Sequence, residues 1–258
     1  MYHGITLHLF EASVAIHSFE LLIGIGLIVA FLGLDTEVRH WPKAAADQLF
    51  MITTVSLIVG VIVGNRVTTF LHSNSLLEMA DFGSRYSGFS FLPGLVCGGS
   101  TCLTLLWWFR LPVAASINVL IPPLAIAHAF GRIGCFFGGC CFGTPTNLPT
   151  AVVFPPASPA STQFGFPVPV HPVQLYEAAL LFGIWFITKR LMQTERRIET
   201  YLIMYGGGRF ALEFLRGDER GAILGMEFLS PSQLICIALM ASGVFLMQPL
   251  GQVRRQPL

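Results

Sequence analysis

Apolar runs recur along this 258-residue chain at about the length that a bilayer demands. They cover roughly residues 14–34, 49–70, 91–109, 115–133, 171–188, 201–215 and 229–247, and a hydrocarbon core needs about 20 apolar residues to cross. Runs of this kind are stable as helices whose backbone groups pair internally. The pattern therefore predicts an all-α polytopic membrane protein with about seven transmembrane helices, forming a single integral membrane domain over residues 1–258. Composition agrees, with 53% hydrophobic and 11% charged residues, where soluble domains carry about 25% charged. A net charge of +1 offers no basic surface for nucleic acid. No basic stretch precedes the first run, so a cleaved signal peptide is not expected. The leading segment, with His3, His8 and Glu11, reads as a short amphipathic approach to the first span.

Charge bias orients the spans. One side collects Arg39, Lys43, Arg110, Lys189, Arg190, Arg196, Arg197, Arg254 and Arg255, and the other keeps Arg66, Arg85, Arg132, Arg209, Arg216 and Arg220. The first group marks the cytoplasm, which places the N-terminus outside and the C-terminus inside. A polar excursion after the second span holds Glu78 and Asp81.

Spans two, four and six then run outward, and each carries an arginine beside glycine: Gly64-Asn65-Arg66, Gly131-Arg132 and Gly208-Arg209. Arg209 lies about nine residues into its span, or ~14 Å along a helix axis. A cation at that depth needs a partner, and Glu213, one turn on, is the local one. Two readings stand open for the arginines. They snorkel or form structural ion pairs, or they converge on an anionic headgroup such as a phosphodiester, whose oxygens suit the guanidinium fork. Other polar residues within spans include His17 and Glu20, three apart near the start of the first, and Gln174 and Glu177 in the fifth.

The fourth run ends in His128 to Gly143, which reads HAFGRIGCFFGGCCFG. It is expected to be a glycine-rich exit turn, leading into an outward-facing Gly/Cys/Pro-rich loop over 135–170. A loop of that length without structure of its own is usually functional or mobile. Six cysteines in a chain this long do not form a disulfide scaffold. For Cys135, Cys140 and Cys141 several readings stay open: a structural disulfide, a catalytic or redox thiol beside Arg132, a metal site with His128, or small inert residues. Cys97, Cys102 and Cys236 read as packing residues, and the run Cys97-Gly98-Gly99-Ser100 suits close helix contact.

Taken together, the motifs resemble the prolipoprotein diacylglyceryl transferase family. Gly131-Arg132-Ile133-Gly134 is similar to its Gly-Arg-x-Gly-Asn-Phe signature, and His171-Pro172-Val173-Gln174-Leu175-Tyr176-Glu177 to its His-Pro-x-Gln-Leu-Tyr-Glu element. Tyr205 to Phe210, with Glu213, Phe214 and Arg216, resembles its Tyr-Gly-x-x-Arg-Phe…Glu-Phe-x-Arg element, and Ser230 to Leu234 the start of its last span. Cys135 stands where the signature has Asn, Gly138 and Cys140 where it has a second Asn and a Glu, and Leu92 where it has a His.

The resemblance implies an enzyme of the bacterial cytoplasmic (inner) membrane with its site towards the outer face. Its reaction would move a diacylglyceryl group from phosphatidylglycerol, or a similar anionic phospholipid, to a cysteine thiol of a prolipoprotein signal peptide or related acceptor, with no cofactor and no metal. The catalytic candidates are Arg132, Arg209, Glu213, Tyr205, Cys135 and Cys140. The substrate-binding candidates are Arg66, Gly131, Gly134, Gly143, His171, Gln174 and Glu177. The competing classes are a membrane thiol–disulfide enzyme that uses the outer cysteines and a non-catalytic phospholipid-binding relative.

Overall fold

The computed structural model describes residues 4–9, 12–73, 91–218 and 229–247. His3, Glu11, Glu78, Asp81, Arg85, Arg220, Arg254 and Arg255 lie outside them. Among the described residues are seven helices of 17 residues or more. They are α1 (Ser18–Val38), α2 (Lys43–Ser73), α3 (Phe91–Trp108), α4 (Val113–Gly138), α6 (Val173–Arg190), α7 (Arg197–Glu213) and α8 (Pro231–Met247). A single short helix, α5 (Pro159–Phe164), lies between α4 and α6. By length and composition α1, the Lys43–Phe70 part of α2, and α4 are able to cross a membrane, and α8 is a shorter apolar helix. Large side chains such as Ile28, Leu32, Ile58 and Val96 are exposed, as residues facing lipid tails are, and Trp107 and Trp108 stand exposed at the end of α3.

Proline sets most of the helix starts. The carbonyls of Pro42, Pro112 and Pro172 accept the first bonds of α2, α4 and α6, while Pro159 and Pro231 occupy the first turn of α5 and α8. Its missing N–H is no loss there and its fixed φ is already helical. α8 adds a capping box. The Ser230 hydroxyl accepts from Gln233 N–H at 3.2 Å, and the Gln233 side chain accepts from Ser230 N–H at 2.9 Å.

The described residues fall into two units, the first running up to Glu37 and from Asn118 onward, and the second Val38–Ile117 between them. In the second, α2 and α3 meet backbone to backbone. A Cβ on Gly60 would stand 2.8 Å from the Gly94 carbonyl, and one on Gly98 2.8 Å from the Ser56 carbonyl. Ser56, Gly60 and Gly64 recur every four residues, as do Gly94 and Gly98, so one stripe of small residues faces another. Gly98 thus serves the close contact expected of its run, while Gly99 faces open space. Arg110, at φ 57, ends α3, with Leu111 N–H bonded back to the Leu106 carbonyl at 3.0 Å.

In the first unit, α7 packs on α8 through Gly206, whose Cβ would stand 3.0 Å from the Cys236 carbonyl. Gly208 gives the same clearance to Leu180 of α6. At the other end, Glu37 of α1 pairs with Arg197 at the start of α7 and lies 3.7 Å from Lys189.

Four expectations are corrected. The chain is mostly helical, not all-α: β1 (Gly4–Leu9) and β2 (Ala12–His17) form an antiparallel pair in the leading segment, and β3 (Val152–Val153) pairs with β4 (Pro169–Val170). Because α1 starts at Ser18, His17 belongs to β2 and shares no helical face with Glu20. The glycine-rich exit is not a turn until Gly139. Gly131, Arg132, Gly134 and Cys135 are helical, and α4 stops where Gly139 takes φ 67 and Cys140 N–H bonds back to the Cys135 carbonyl at 3.3 Å. Finally, the 144–170 loop has its own structure. Phe142, Phe154, Ala160 and Val170 form a small buried core, β3 and β4 edge it, and Ser158 caps α5 by accepting from Ser161 N–H at 3.2 Å.

The glycine stripe yields a paired prediction. Gly98→Leu drives a side chain into the α2 backbone and should lower stability by about 1–3 kcal/mol, read as a fall in Tm in detergent. Gly99→Leu, which meets open space, should leave Tm unchanged.

Candidate active site

Glu177 is the centre of the described polar network. It lies one turn into α6 and is fully buried. Arg132 of α4 places Nη2 3.0 Å from its Oε1, and the Tyr205 hydroxyl of α7 donates to the same oxygen at 2.9 Å. Arg209 Nε lies 3.8 Å from Oε2, and His128 Nε2 3.9 Å from Oε1. Arg209 also pairs with Glu213, Nη2 to Oε2 at 2.5 Å, and the Ser230 hydroxyl donates to the other Glu213 oxygen at 2.7 Å. One carboxylate thus holds two guanidiniums together, and a second neutralises the deeper one.

Local sequence explains the convergence. His128 and Arg132 are four apart on α4, as are Tyr201, Tyr205, Arg209 and Glu213 on α7, so each set lies along one face. Tyr201 stacks on Tyr205 at 5.6 Å, and the His128 ring sits 5.2 Å from Tyr205. Gly206 and Gly208, flanking the polar face, let α8 and α6 come close enough for Arg209 to reach both carboxylates. Two buried donors, Arg132 Nε and Arg209 Nη1, have no hydrogen-bond partner among the described residues. Buried polar groups are normally paired, and Arg197 Nε and Arg216 Nη1 share this condition at other ion pairs.

The remaining candidates surround this network or lie apart from it. Gln174, fully buried, donates from Nε2 to the Cys140 carbonyl at 2.6 Å and so ties α6 to the turn after α4. His171 is half-buried, its Nδ1 without a partner, and its backbone exchanges bonds with Gly143 N–H at 2.9 Å and the Thr144 carbonyl at 3.1 Å. Gly143 has no room for a side chain, since a Cβ would stand 2.6 Å from that of His171 and 2.7 Å from the Leu215 carbonyl. Gly134 lets α4 approach Phe19, whereas Gly131 faces open space. Arg66 belongs to α2 in the other unit, half-buried. Arg132 and Arg209 are therefore the pair that meets at Glu177. The sequence reading passed over Tyr201 and Asp218. Asp218 accepts two bonds from Arg216, at 2.7 and 2.6 Å, and its signal was its place two residues after that arginine.

Cys135, Cys140 and Cys141 come together, all three sulfurs within 4.8 Å of one another, and each thiol is free. Cys141 is held at φ 61, a left-handed conformation unusual for a side-chain-bearing residue. Hydrogen bonds from Cys135 and Cys140 hold its thiol well below the ordinary thiol range, helped by the Arg216 and Arg132 cations and opposed by burial. Cys140 goes the other way. Its bond with Cys135 pulls downward, but its bond with Cys141 and burial prevail and push it up to about 11.

The profile of the prolipoprotein diacylglyceryl transferase family matches residues 6–248. The chain belongs to the prolipoprotein diacylglyceryl transferase family. This family member is a transferase by that membership, and it is similar to proteins named phosphatidylglycerol–prolipoprotein diacylglyceryl transferase. The one from Clostridium tetani is 28% identical over 242 residues, covering 89% of this chain and 91% of that protein. A second, numbered 2, from Clostridium perfringens, is 32% identical over 245 residues and covers 90% of each. A third, from Nitratidesulfovibrio vulgaris, is 32% identical over 226 residues, covering 82% and 80%.

Two outcomes are expected. Glu177→Ala leaves buried Arg132 without its carboxylate and Arg209 with Glu213 alone, and should cost about 3–5 kcal/mol, seen in thermal unfolding, while Glu177→Gln keeps an acceptor for Tyr205 and should cost less. Alkylation should separate the thiols by pH. Cys141, held below the ordinary thiol range, should react at lower pH than Cys140, whose thiolate fraction rises about tenfold per pH unit up to its pKa. Peptide mapping after brief iodoacetamide treatment reads both.

Proposed function

We propose that this chain transfers the diacylglyceryl group of phosphatidylglycerol, or a similar anionic phospholipid, to a cysteine thiol of a prolipoprotein or related acceptor. It would do so in the bacterial inner membrane, as a seven-span protein with its N-terminus outside and its site towards the outer face. The observation that carries this reading is the pairing of Arg132 and Arg209 on buried Glu177, with one donor of each guanidinium left over. Arg197 and Arg216, each paired with a single carboxylate, also keep a spare buried donor; what distinguishes Arg132 and Arg209 is that their two guanidiniums converge on one carboxylate. A phosphodiester at that point would meet donors from both, and the similar proteins are named for a phosphatidylglycerol-dependent reaction.

In this reading Arg132 Nε and Arg209 Nη1 bind the phosphate, and Glu177 and Glu213 position the two guanidiniums. The acceptor sulfur attacks the glyceryl CH₂ carbon next to the phosphate. A C–S bond forms, the C–O bond breaks, and glycerol phosphate leaves with the electron pair. Charge building on the leaving phosphate is what the two arginines stabilise. The thiol proton passes to the unpartnered Nδ1 of His171, and the Tyr205 hydroxyl, held by Glu177, orients the headgroup. Gly134 and Gly143 allow close packing beside the site, against Phe19 and His171, and Gln174 fixes the turn at Cys140. Cys135 and Cys140 flank the end of the site where Arg132 lies.

The test is transfer itself. Reconstituted with phosphatidylglycerol and a prolipoprotein signal peptide, the protein should give a thioether-linked diacylglyceryl peptide by mass spectrometry. Arg209→Lys should reduce the rate by about 10²-fold, because an ammonium does not reproduce the fork. Co-purifying phospholipid should fall in Arg132→Ala and in Arg209→Ala, and unchanged occupancy in both would overturn the anion site. For orientation, an alkaline phosphatase fused after Val170 should be active and one fused after Arg197 inactive.

A further inference from the structure

We propose that Cys135, Cys140 and Cys141 form a three-thiolate site for one soft, thiophilic cation, with monovalent copper the best match. This stands apart from the transferase reading. The three sulfurs lie within 4.8 Å of one another. Thiolates bound about 2.3 Å from a shared ion stand roughly 3.8–4.0 Å apart, depending on whether the site is tetrahedral or planar. Closing that gap takes side-chain rotation, not backbone rearrangement.

The backbone is already arranged for it. Gly139 and Cys141 both take left-handed conformations, at φ 67 and φ 61, and fold the end of α4 back on itself. Cys140 N–H bonds to the Cys135 carbonyl, and the Cys140 carbonyl is held by Gln174 at 2.6 Å. A glycine tolerates φ > 0 freely, but a cysteine does not. Its presence at 141 aims a third sulfur at the other two. A simple C-terminal cap needs only Gly139, and a disulfide staple needs only two thiols.

The ligand set selects the ion. Soft thiolates favour monovalent copper and zinc over hard cations. Structural zinc takes four protein ligands, and among the described residues no histidine or carboxylate joins the three sulfurs. Three-coordinate sulfur suits monovalent copper. Charge agrees as well. One such ion with three thiolates carries a double negative charge, and the guanidiniums of Arg132 and Arg216 both act on Cys141. The thiols are half-buried, so an ion reaches them without unfolding the chain.

The experiment uses the full-length protein in detergent, reduced and kept anaerobic, and titrated with monovalent copper against bicinchoninate. One copper per chain is expected. Its binding should shield Cys135, Cys140 and Cys141 together from maleimide while Cys97 and Cys102 react as before, a readout that needs no variant. Cys135→Ser, Cys140→Ser and Cys141→Ser should each weaken copper binding by about 10²-fold or more, removing a ligand where loss of even an outer-shell partner costs 10–100-fold. Cys97→Ser should not. Unchanged copper binding in all three serine variants would overturn the site, as would a disulfide among these cysteines in protein isolated without reductant. Tighter retention of zinc than of copper by the unaltered protein would overturn the choice of ion.

Discussion

A carboxylate with no access to water holds the polar core of this protein together. Glu177 lies between two guanidiniums that would otherwise repel each other, and it accepts a tyrosine hydroxyl on the oxygen that also meets Arg132. Removing it strands Arg132 and leaves Arg209 to Glu213 alone, whereas removing either cation leaves the carboxylate with the other. The hierarchy of the other contacts follows from this. Glu213 neutralises the deeper arginine, Ser230 fixes Glu213, and the capping box of α8 fixes Ser230. A chain of local hydrogen bonds thus runs from a helix start to a buried charge, and each link is short because the previous one is rigid.

Close approach of the helices is the second requirement, and glycine meets it. Arginines of fixed length bridge three helices only if the backbones come near, and Gly206 and Gly208 bring α8 and α6 against α7 on either side of the polar face. The same device joins α2 to α3, where it carries no charge. In lipid, where helices gain little from hiding apolar surface, contact of this kind and internal hydrogen bonds supply much of the association.

The parts of this arrangement set by local spacing were legible in the sequence. Arg209 and Glu213 are one turn apart, the helix starts carry proline, and the apolar runs match the long helices within a few residues. Glu177 was read as one binding residue among several, because its role comes from arginines 45 residues before it and 32 after it, which no periodicity connects. The end of α4 was misread for a related reason. Gly131 and Gly134 look like breakers, but inside an apolar helix they are merely small, and the stop falls where Gly139 goes left-handed. The 144–170 loop hid its structure because strands of two residues leave no alternation to detect, and its core joins Phe142, Phe154 and Val170 across the fold of the loop.

Arg132 connects the two clusters that the structure places side by side. It gives Nη2 to Glu177, and its charge also acts on Cys135 and Cys141, the first of which lies less than one turn further along α4. The family signature has an amide at the Cys135 position, which is neutral whatever is bound nearby. A thiol there is neutral when protonated and anionic when ionised, so the charge at this position beside Arg132 is variable. An anionic sulfur at 135 would compete with Glu177 for Arg132, and a neutral one would leave that pair as it is. Substituting cysteine for an amide at this position thus leaves the carboxylate–guanidinium core intact and puts a variable charge beside it.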